Sequence, residues 1–584
     1  MILIKPITQN LVFFIFMYLL GLLCILTTAE RSYLPFFIRL FPELFLDIYI
    51  LCFFLEYLSF KWKKTLRFSI SLLLYIIAII DLFCYIRIGS TITPCILQLV
   101  LDSNTTEATE FFNSYISSDI IISPVGLIFV LMFVHFFAQH KLSSIKFKRT
   151  SQHKSILCFT ILFTLIICIV ASIKNKYIII KTWHYKTIGE VESYLASDYF
   201  SVRAQYLPIY RLAFSIHANR LIKHQIQDLI FTLNNCEVDS CSFVSPTIVL
   251  IIGESYNKHH SQLYGYNMPT TPYQLKRYNE GELFVFPNAI TPYNLTSEVL
   301  KNAFSLNDLS QNEVWCNKPL FTTLFKKAGY TVSFISNEFI IKQQGSVSDF
   351  SGGMFLNNPI LSTLQFDNRN SSTHKYDEDL ITDYQSLCKI PHDHQLIIFS
   401  LIGQHIDYGD RYPSGFSYFK ADDYKRKDLS YNQLRIVADY DNATLYNDYI
   451  IERIIRLFEK ENAILIYMPD HGDECFDQIK VFGRLHSDPV TKEIAYNEYQ
   501  IPFWIWCSNQ YKDRHQEITN LIKFSLNRRF ISDDLSHMLL FLGGISCKDY
   551  KDELNILSPK YKNKKVLLKG STNYDYLFEN SKHP

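Results

Sequence analysis

The chain is poor in charge. Only 19% of its residues are Asp, Glu, Lys or Arg, below the roughly 25% of ordinary soluble proteins. Beside 48% apolar and 15% aromatic residues, so little charge excludes a disordered chain, which needs the opposite balance. Neither sign is in excess: 57 basic and 56 acidic residues leave a formal net charge of +1. Strong overall attraction to nucleic acid is therefore not indicated. The sequence has no CxxC-type zinc site. It also lacks an internal repeat, a long low-complexity tract and an A-x-A cleavage site after its first apolar run.

What the chain does have is an uneven distribution of apolar residues. The mean hydropathy of +0.05 averages two unlike parts, because the apolar residues crowd into positions 1–173. Five segments there approach the ~20 residues a spanning helix needs: 11–29, 37–58, 69–86, 120–138 and 155–173. The second is the weakest, since it carries Arg39, Glu43, Asp47 and Glu56, and a buried soluble helix is its alternative. The loop after the second segment has Lys61, Lys63, Lys64 and Arg67, and the loop after the fourth has Lys141, Lys146, Lys148, Arg149 and Lys154. Between them, 87–119 holds Asp102, Glu107, Glu110 and Asp119 against Arg87. The positive-inside rule puts the basic loops in the cytoplasm and everything after 173 outside.

Residues 174–245 form a connector. Its stretch 203–230 mixes apolar positions with Arg203, Arg211, Arg220 and Lys223. It reads either as an amphipathic helix on the membrane surface or as a helix packed on the soluble domain. Cys236 and Cys241 (CEVDSC) flank a short loop, a spacing compatible with a local disulfide in an oxidising compartment.

From 246 to 584 short apolar strands alternate with helical stretches, the pattern of a mainly parallel sheet covered by helices. Four strands end in residues able to do chemistry. TIVLIIGES ends at Glu254, TVSFISN at Asn337, QLIIFSLIGQH at His405, and AILIYMPDHGDE runs into Asp470 and His471. Open α/β sheets place their sites at the carboxyl ends of strands. Singly, each ending is a cap or a turn; together they predict one metal site. Carboxylate and imidazole donors suit zinc, with manganese as the alternative. The nucleophile candidate is Thr296, in NAITPYNLTSEVLKNAF. A hydroxyl at a helix N-terminus is ordinarily an N-cap, yet helix dipole and metal also favour an anion there. His259, His260, His392 and His394 sit in polar surroundings and read as ordinary loop residues.

GESYNKHHSQLYGY with TTP, the Thr296 segment, LIGQH, YDNATLYNDYI and PDHGDE with GRLH, in this order, resemble the phosphoethanolamine transferases of Gram-negative bacteria. These are members of the alkaline phosphatase/sulfatase superfamily, and the likeness is to the branch that modifies the lipopolysaccharide core. The resemblance implies a five-span helical membrane domain followed by a periplasmic α/β domain of sulfatase type. By the same resemblance Glu254, Asp470 and His471 are zinc ligands. Thr296 is the nucleophile and also contacts the metal. His405 and His486 hold substrate phosphate or a second zinc, and Asn337 is a polar phosphate contact. A lysine present in some members has its nearest counterpart in Lys342, one residue out of place. No cysteine flanks Thr296, so the paired cysteines of several members are not kept.

The implied reaction moves phosphoethanolamine from phosphatidylethanolamine, through a phospho-threonine intermediate, to lipid A or the lipopolysaccharide core. It would take place at the bacterial inner membrane. Lipoteichoic-acid synthases share the plan but transfer glycerol phosphate; the GES, DHGDE and LYGY contexts favour phosphoethanolamine. A catalytically active sulfatase needs a Cys/Ser-x-Pro-x-Arg segment, which neither Cys316-Asn-Lys-Pro nor Cys388-Lys-Ile-Pro-His supplies. A plain phosphatase leaves the membrane half unexplained, and a non-catalytic scaffold or sensor leaves the filled site positions unexplained.

Overall fold

The structure, a computed structural model, describes residues 3–29, 34–57, 60–88, 91–94, 96–97, 120, 122–142, 153–196, 202–339, 351–388, 392–485 and 489–579. The chain divides into two compact units, Met1–Leu221 and Ile222–Pro584.

The first unit is helical. Its long helices are α1 (Leu11–Thr28), α2 (Leu34–Glu56), α3 (Phe60–Ile88), α4 (Pro124–Leu142) and α5 (His153–Thr182). Each apolar segment read from the sequence is thus helical. Three stretches, Leu11–Thr28, Trp62–Ile86 and Cys158–Thr182, are long and apolar enough to cross a membrane. The count of five is not reached by that measure. The apolar part of α4, Pro124–Gln139, is short, and α2 carries Arg39, Glu43, Asp47 and Glu56.

The connector contains α6 (Pro208–Asn235), which carries the chain from one unit into the other. Within each unit, part of this helix packs on protein. Arg211 pairs with the buried Asp81 through Nε at 2.9 Å and Nη2 at 2.5 Å. Further along the helix, Leu229 and Leu233 are fully buried in the core of the second unit. Cys236 and Cys241 are free, which corrects the expectation of a local disulfide. Each thiol donates instead to a backbone carbonyl, of Leu233 and Gly543 respectively.

The second unit is built on a seven-stranded sheet. Its strands are β1 (Thr247–Gly253), β2 (Leu283–Phe286), β3 (Thr331–Ser336), β4 (Asn368–Arg369), β5 (Gln395–Ser400), β6 (Ala463–Pro469) and β7 (Phe503–Cys507). The spatial order is β2-β7-β6-β1-β5-β3-β4. The block from β6 to β4 is parallel, and β7 runs antiparallel to both of its neighbours. Every residue of β1 and β6 is buried, as expected where helices cover both faces of a parallel sheet. Side chains alternate between the faces. Ile248, Leu250 and Ile252 join one core with Phe321, Leu324 and Leu539. Val249 and Ile251 join the other with Ile450, Ile451 and Ile454 of the long helix Tyr431–Phe458.

Candidate metal centre and active site

Strand register brings the site together. β1 and β6 are neighbours with Gly253 opposite Pro469, so the next residues, Glu254 and Asp470, leave the sheet side by side. The turn is strained: Ser255 lies at φ 56°, a conformation that costs a non-glycine residue of order 1–2 kcal/mol. The strain is held by short hydrogen bonds. Ser255 N–H donates to Asp470 Oδ1 at 3.0 Å, and Ser255 Oγ donates to Glu254 Oε1 at 2.6 Å. Gly403, at φ 45°, is the close neighbour that lets this turn pack. A Cβ there would stand 3.1 Å from the Glu254 backbone.

His471 follows Asp470 directly. Its Nδ1–H donates to the Gly472 carbonyl at 2.8 Å, which turns Nε2 toward the two carboxylates, 3.0 Å from Asp470 Oδ2 and 3.7 Å from Glu254 Oε1. One donor atom from each of Glu254, Asp470 and His471 lies within 4.8 Å of the others, and each residue is at most 1% exposed.

Thr296 is the first residue of the helix Thr296–Phe304. It is not the N-cap: Leu295 occupies that position with an extended backbone. The hydroxyl is therefore not spent on the helix end. It donates to Asp470 Oδ2 at 2.7 Å and stands 3.3 Å from both Glu254 Oε2 and His471 Nε2. Two carboxylates, an imidazole nitrogen and a hydroxyl make a four-donor, oxygen-rich set of the kind zinc binds. The electrostatics agree with a cation there. Burial, with the adjacent Asp470 carboxylate, pushes the Glu254 carboxyl well above the usual range, because two buried like charges cannot both persist uncompensated.

A further side chain enters the site that sequence reasoning passed over. Arg484 Nη1 donates to His471 Nε2 at 2.8 Å and lies 3.4 Å from both Thr296 Oγ and the Asn294 carbonyl. Its one sequence signal is its place in GRLH, two residues before His486. Its backbone neighbour is pinned to the Thr296 loop by Glu498, fully buried and itself absent from any motif. Leu485 N–H donates to Glu498 Oε1 at 2.7 Å, and Asn294 Nδ2 donates to Glu498 Oε2 at 2.5 Å. Burial raises the Glu498 carboxyl to about 8.

Of the other residues expected at the site, His405 lies on the loop after β5, with Nδ1 buried and without a hydrogen-bond partner. Burial, then Arg484 and Arg411, push its pKa down to about 4, so it is neutral at pH 7. Asn337 is not among the residues brought to Thr296. Its amide donates to Asp377 at 2.9 Å and its oxygen accepts the His374 N–H at 2.6 Å. Asp377 in turn accepts the N–H groups of Ile402 and Gly403, both at 3.0 Å. Asn337 thus braces the turn that leads to His405. His486 and Lys342 lie outside the described residues.

The reading of His260 as an ordinary loop residue is corrected. It is 1% exposed and clamped between Asp441, 2.6 Å from Nδ1, and Asp477, 2.9 Å from Nε2. Asn257, three residues earlier, donates to the Asp473 carbonyl at 2.8 Å, so this clamp ties the loop after Glu254 to the loop after His471. Of the remaining three histidines, His259 stacks on Tyr496 and His394 on Phe243, while His392 is exposed.

The sulfatase family model matches residues 246–545. The chain belongs to the sulfatase family. Over 518 residues it is 25% identical to phosphoethanolamine transferase EptC of Escherichia coli (strain K12), covering 86% of this chain and 84% of that one. Over 510 residues it is 27% identical to phosphoethanolamine transferase CptA of Salmonella typhimurium (strain LT2), covering 85% and 83%. The crystal structure of the C-terminal periplasmic domain of E. coli EptC in complex with zinc is 28% identical with a TM-score of 0.50. That match covers 59% of this chain and 97% of the solved one. Relatives along most of this family member's length are thus named as enzymes that transfer phosphoethanolamine.

Proposed function

We propose that the protein is a membrane-anchored phosphoethanolamine transferase, with phosphatidylethanolamine as donor and lipid A or the lipopolysaccharide core as acceptor. The observation that carries the reading is the hydroxyl of Thr296, freed from helix capping and aimed at the Glu254, Asp470 and His471 donors, 2.7 Å from Asp470. Along most of this chain the relatives are phosphoethanolamine transferases, and one related domain was solved with zinc. Glu254, Asp470, His471 and Thr296 are the residues that would hold zinc. Zinc bound there supplies Lewis acidity that lowers the hydroxyl's pKa and offsets charge on the phosphoryl oxygens. The same oxygen-rich set also accommodates manganese, and elemental analysis of the purified protein separates the two.

Thr296 Oγ attacks phosphorus. The Oγ–P bond forms, the bond from phosphorus to the diacylglycerol oxygen breaks, and the hydroxyl proton ends on that leaving oxygen. Asp470 Oδ2, which accepts the Thr296 hydroxyl, is placed to take the proton first. An acceptor oxygen then displaces Thr296 from the phosphoethanolamine-threonine, restoring the hydroxyl, so the kinetics are ping-pong. His405, neutral at pH 7, serves the phosphoryl oxygens, and His486 takes the same role by the family resemblance. Donor and acceptor are both lipids, and a membrane anchor raises their effective concentration. Basic loops around 61–67 and 141–154, with an acidic loop between, support five spans and a periplasmic catalytic unit.

Intact-mass spectrometry of the full-length protein in detergent tests the reading, after incubation with zinc and phosphatidylethanolamine. A phosphoethanolamine adduct on Thr296, absent from Thr296→Ala, is expected. No adduct on zinc-loaded wild type refutes this donor, and an adduct from a glycerol-phosphate donor instead points to the lipoteichoic-acid-synthase chemistry.

A further inference from the structure

Arg484 stands beside two members of the donor set, His471 and Thr296. Its Nη1 donates to His471 Nε2 at 2.8 Å and reaches within 3.4 Å of Thr296 Oγ. Among the described residues it is the cationic side chain that hydrogen-bonds both the nucleophile and a metal-ligand candidate. Imidazole Nε2 has one in-plane lone pair, and a metal ion bound to His471 needs that same pair. The guanidinium and a metal therefore cannot both use it, and a metal entering the set must move Arg484 off His471.

Where the guanidinium goes is limited by its backbone. Leu485 is held at both ends of its peptide unit: its N–H goes to Glu498 at 2.7 Å, and its carbonyl accepts from Asn294 at 3.2 Å. The preceding short strand Phe482–Gly483 is paired with Glu474–Cys475. The chain on either side is anchored, and the Arg484 side chain is half-buried. In the position observed, the head group lies 3.4 Å from Thr296 Oγ. A phosphorus atom bonded to Thr296 Oγ has its non-bridging oxygens within reach of that head group.

The charge of the site asks for such a cation. A phosphodiester brings a negative charge to a pocket that already holds Glu254 and Asp470. His405 does not supply the balance at pH 7, since burial and neighbouring arginines keep it neutral. A planar guanidinium matches two phosphoryl oxygens with two parallel N–H groups, which an ammonium does not.

We propose that Arg484 is the phosphoryl clamp of this site, binding the non-bridging oxygens of the transferred group, and that the same side chain competes with the metal for His471 Nε2. This rests on the phosphotransfer reading above. It makes two predictions of opposite sign. Removing Arg484 weakens phosphate binding, yet strengthens zinc binding, because a competing cation is gone.

The experiment uses full-length protein in detergent, in a Thr296→Ala background that cannot turn over. Calorimetric titration of zinc into the metal-stripped protein gives the first readout, and titration of O-phosphoethanolamine into the zinc-loaded protein gives the second. Arg484→Met should bind phosphoethanolamine at least about tenfold more weakly, the scale of a charged hydrogen bond, and zinc more tightly than Arg484 protein. Arg484→Lys, which keeps charge but loses the fork, should keep the weaker zinc binding without recovering the phosphoethanolamine affinity. Unchanged phosphoethanolamine affinity in Arg484→Met overturns the clamp. Weaker zinc binding in that variant would also overturn it, since the arginine would then be a support of the ligand set. If the Arg484 protein itself fails to bind phosphoethanolamine, while Thr296-containing wild type forms no adduct, the phosphotransfer reading has failed and the clamp falls with it.

Discussion

Replacing His260 should cost the catalytic unit stability in a way that depends on pH. Both ring nitrogens face carboxylates, Asp441 at 2.6 Å and Asp477 at 2.9 Å, so both carry hydrogen and the ring is an imidazolium. Burial disfavours that charge, but Asp477 and Asp441 outweigh it and hold the pKa up to about 10, against 6.5 for a free histidine. Between those values the folded protein keeps a proton that the unfolded chain releases. The clamp's contribution is therefore complete below pH 6.5. It falls by up to about 1.4 kcal/mol per pH unit and is gone near pH 10. Its ceiling is about 5 kcal/mol. Breaking a buried pair by removing one partner costs about 3–5 kcal/mol. His260→Gln should therefore melt roughly 5 °C or more below wild type at pH 7. The difference should shrink steadily toward pH 9.5. The neighbouring phenols do not confuse this window. Burial and then Asp441 push Tyr266 and Tyr424 far above it. The assay is thermal unfolding of full-length protein in detergent at fixed zinc, followed by the fluorescence of the buried Trp504 and Trp506 in the sheet. Parallel wild-type and variant curves across pH 6–9.5 would refute the charged clamp, as would equal melting temperatures at pH 7.

Two further outcomes separate metal binding and topology. Glu254→Gln, Asp470→Asn and His471→Ala should each lose most bound zinc by elemental analysis, because each removes one of four donors, whereas Thr296→Ala should abolish the covalent adduct and retain more metal. If all four variants keep full zinc, the donor set is misassigned. A protease-recognition site inserted at Asp102 should be cut from outside spheroplasts if α2 and α4 cross the membrane. Protection of that site, with cutting only after lysis, would mean that the three most apolar helices alone span.

The residues whose placement could be read from the sequence are those that follow a local pattern. Glu254, Asp470 and His471 stand directly after continuous apolar strands, and parallel register then places neighbouring strand ends together. Thr296 was legible as a hydroxyl at a helix start, although the pattern suggested a cap and the structure puts Leu295 in that role. What escaped is what depends on distant segments. His260 meets Asp441 and Asp477, 181 and 217 residues away, so its polar surroundings looked like solvent. Glu498 secures the Arg484 loop from a segment with no motif of its own. Asn337, a polar residue at a strand end, is hydrogen-bonded to Asp377 and His374, contacts that no local pattern announces.

The charged helix α2 shows the same limit in the membrane half. Its carboxylates made it the weakest candidate span because a hydropathy reading counts each charge against the helix alone. In the folded unit Glu43 and Asp47 do not stand alone. Lys176 of α5 lies 3.1 Å from Glu43 and 2.7 Å from Asp47, and Asn175 donates to Glu43 at 2.7 Å. Tyr206 donates its hydroxyl to Asp47 at 2.6 Å. At the other end of α2, Glu56 meets Lys63 at 2.6 Å. Asp81 of α3 is matched by Arg211 in the same way. Charges inside a bilayer are tolerated when they face the bundle and find partners there. Partners more than a hundred residues away in sequence are invisible to a sliding window. The pairing of Glu43 and Asp47 with α5 removes the main objection to α2 as a span. With the first span running outward, as the proposed five-span arrangement has it, leaving α2 out of the membrane would put the basic loop at 61–67 on the outer side, against the positive-inside rule.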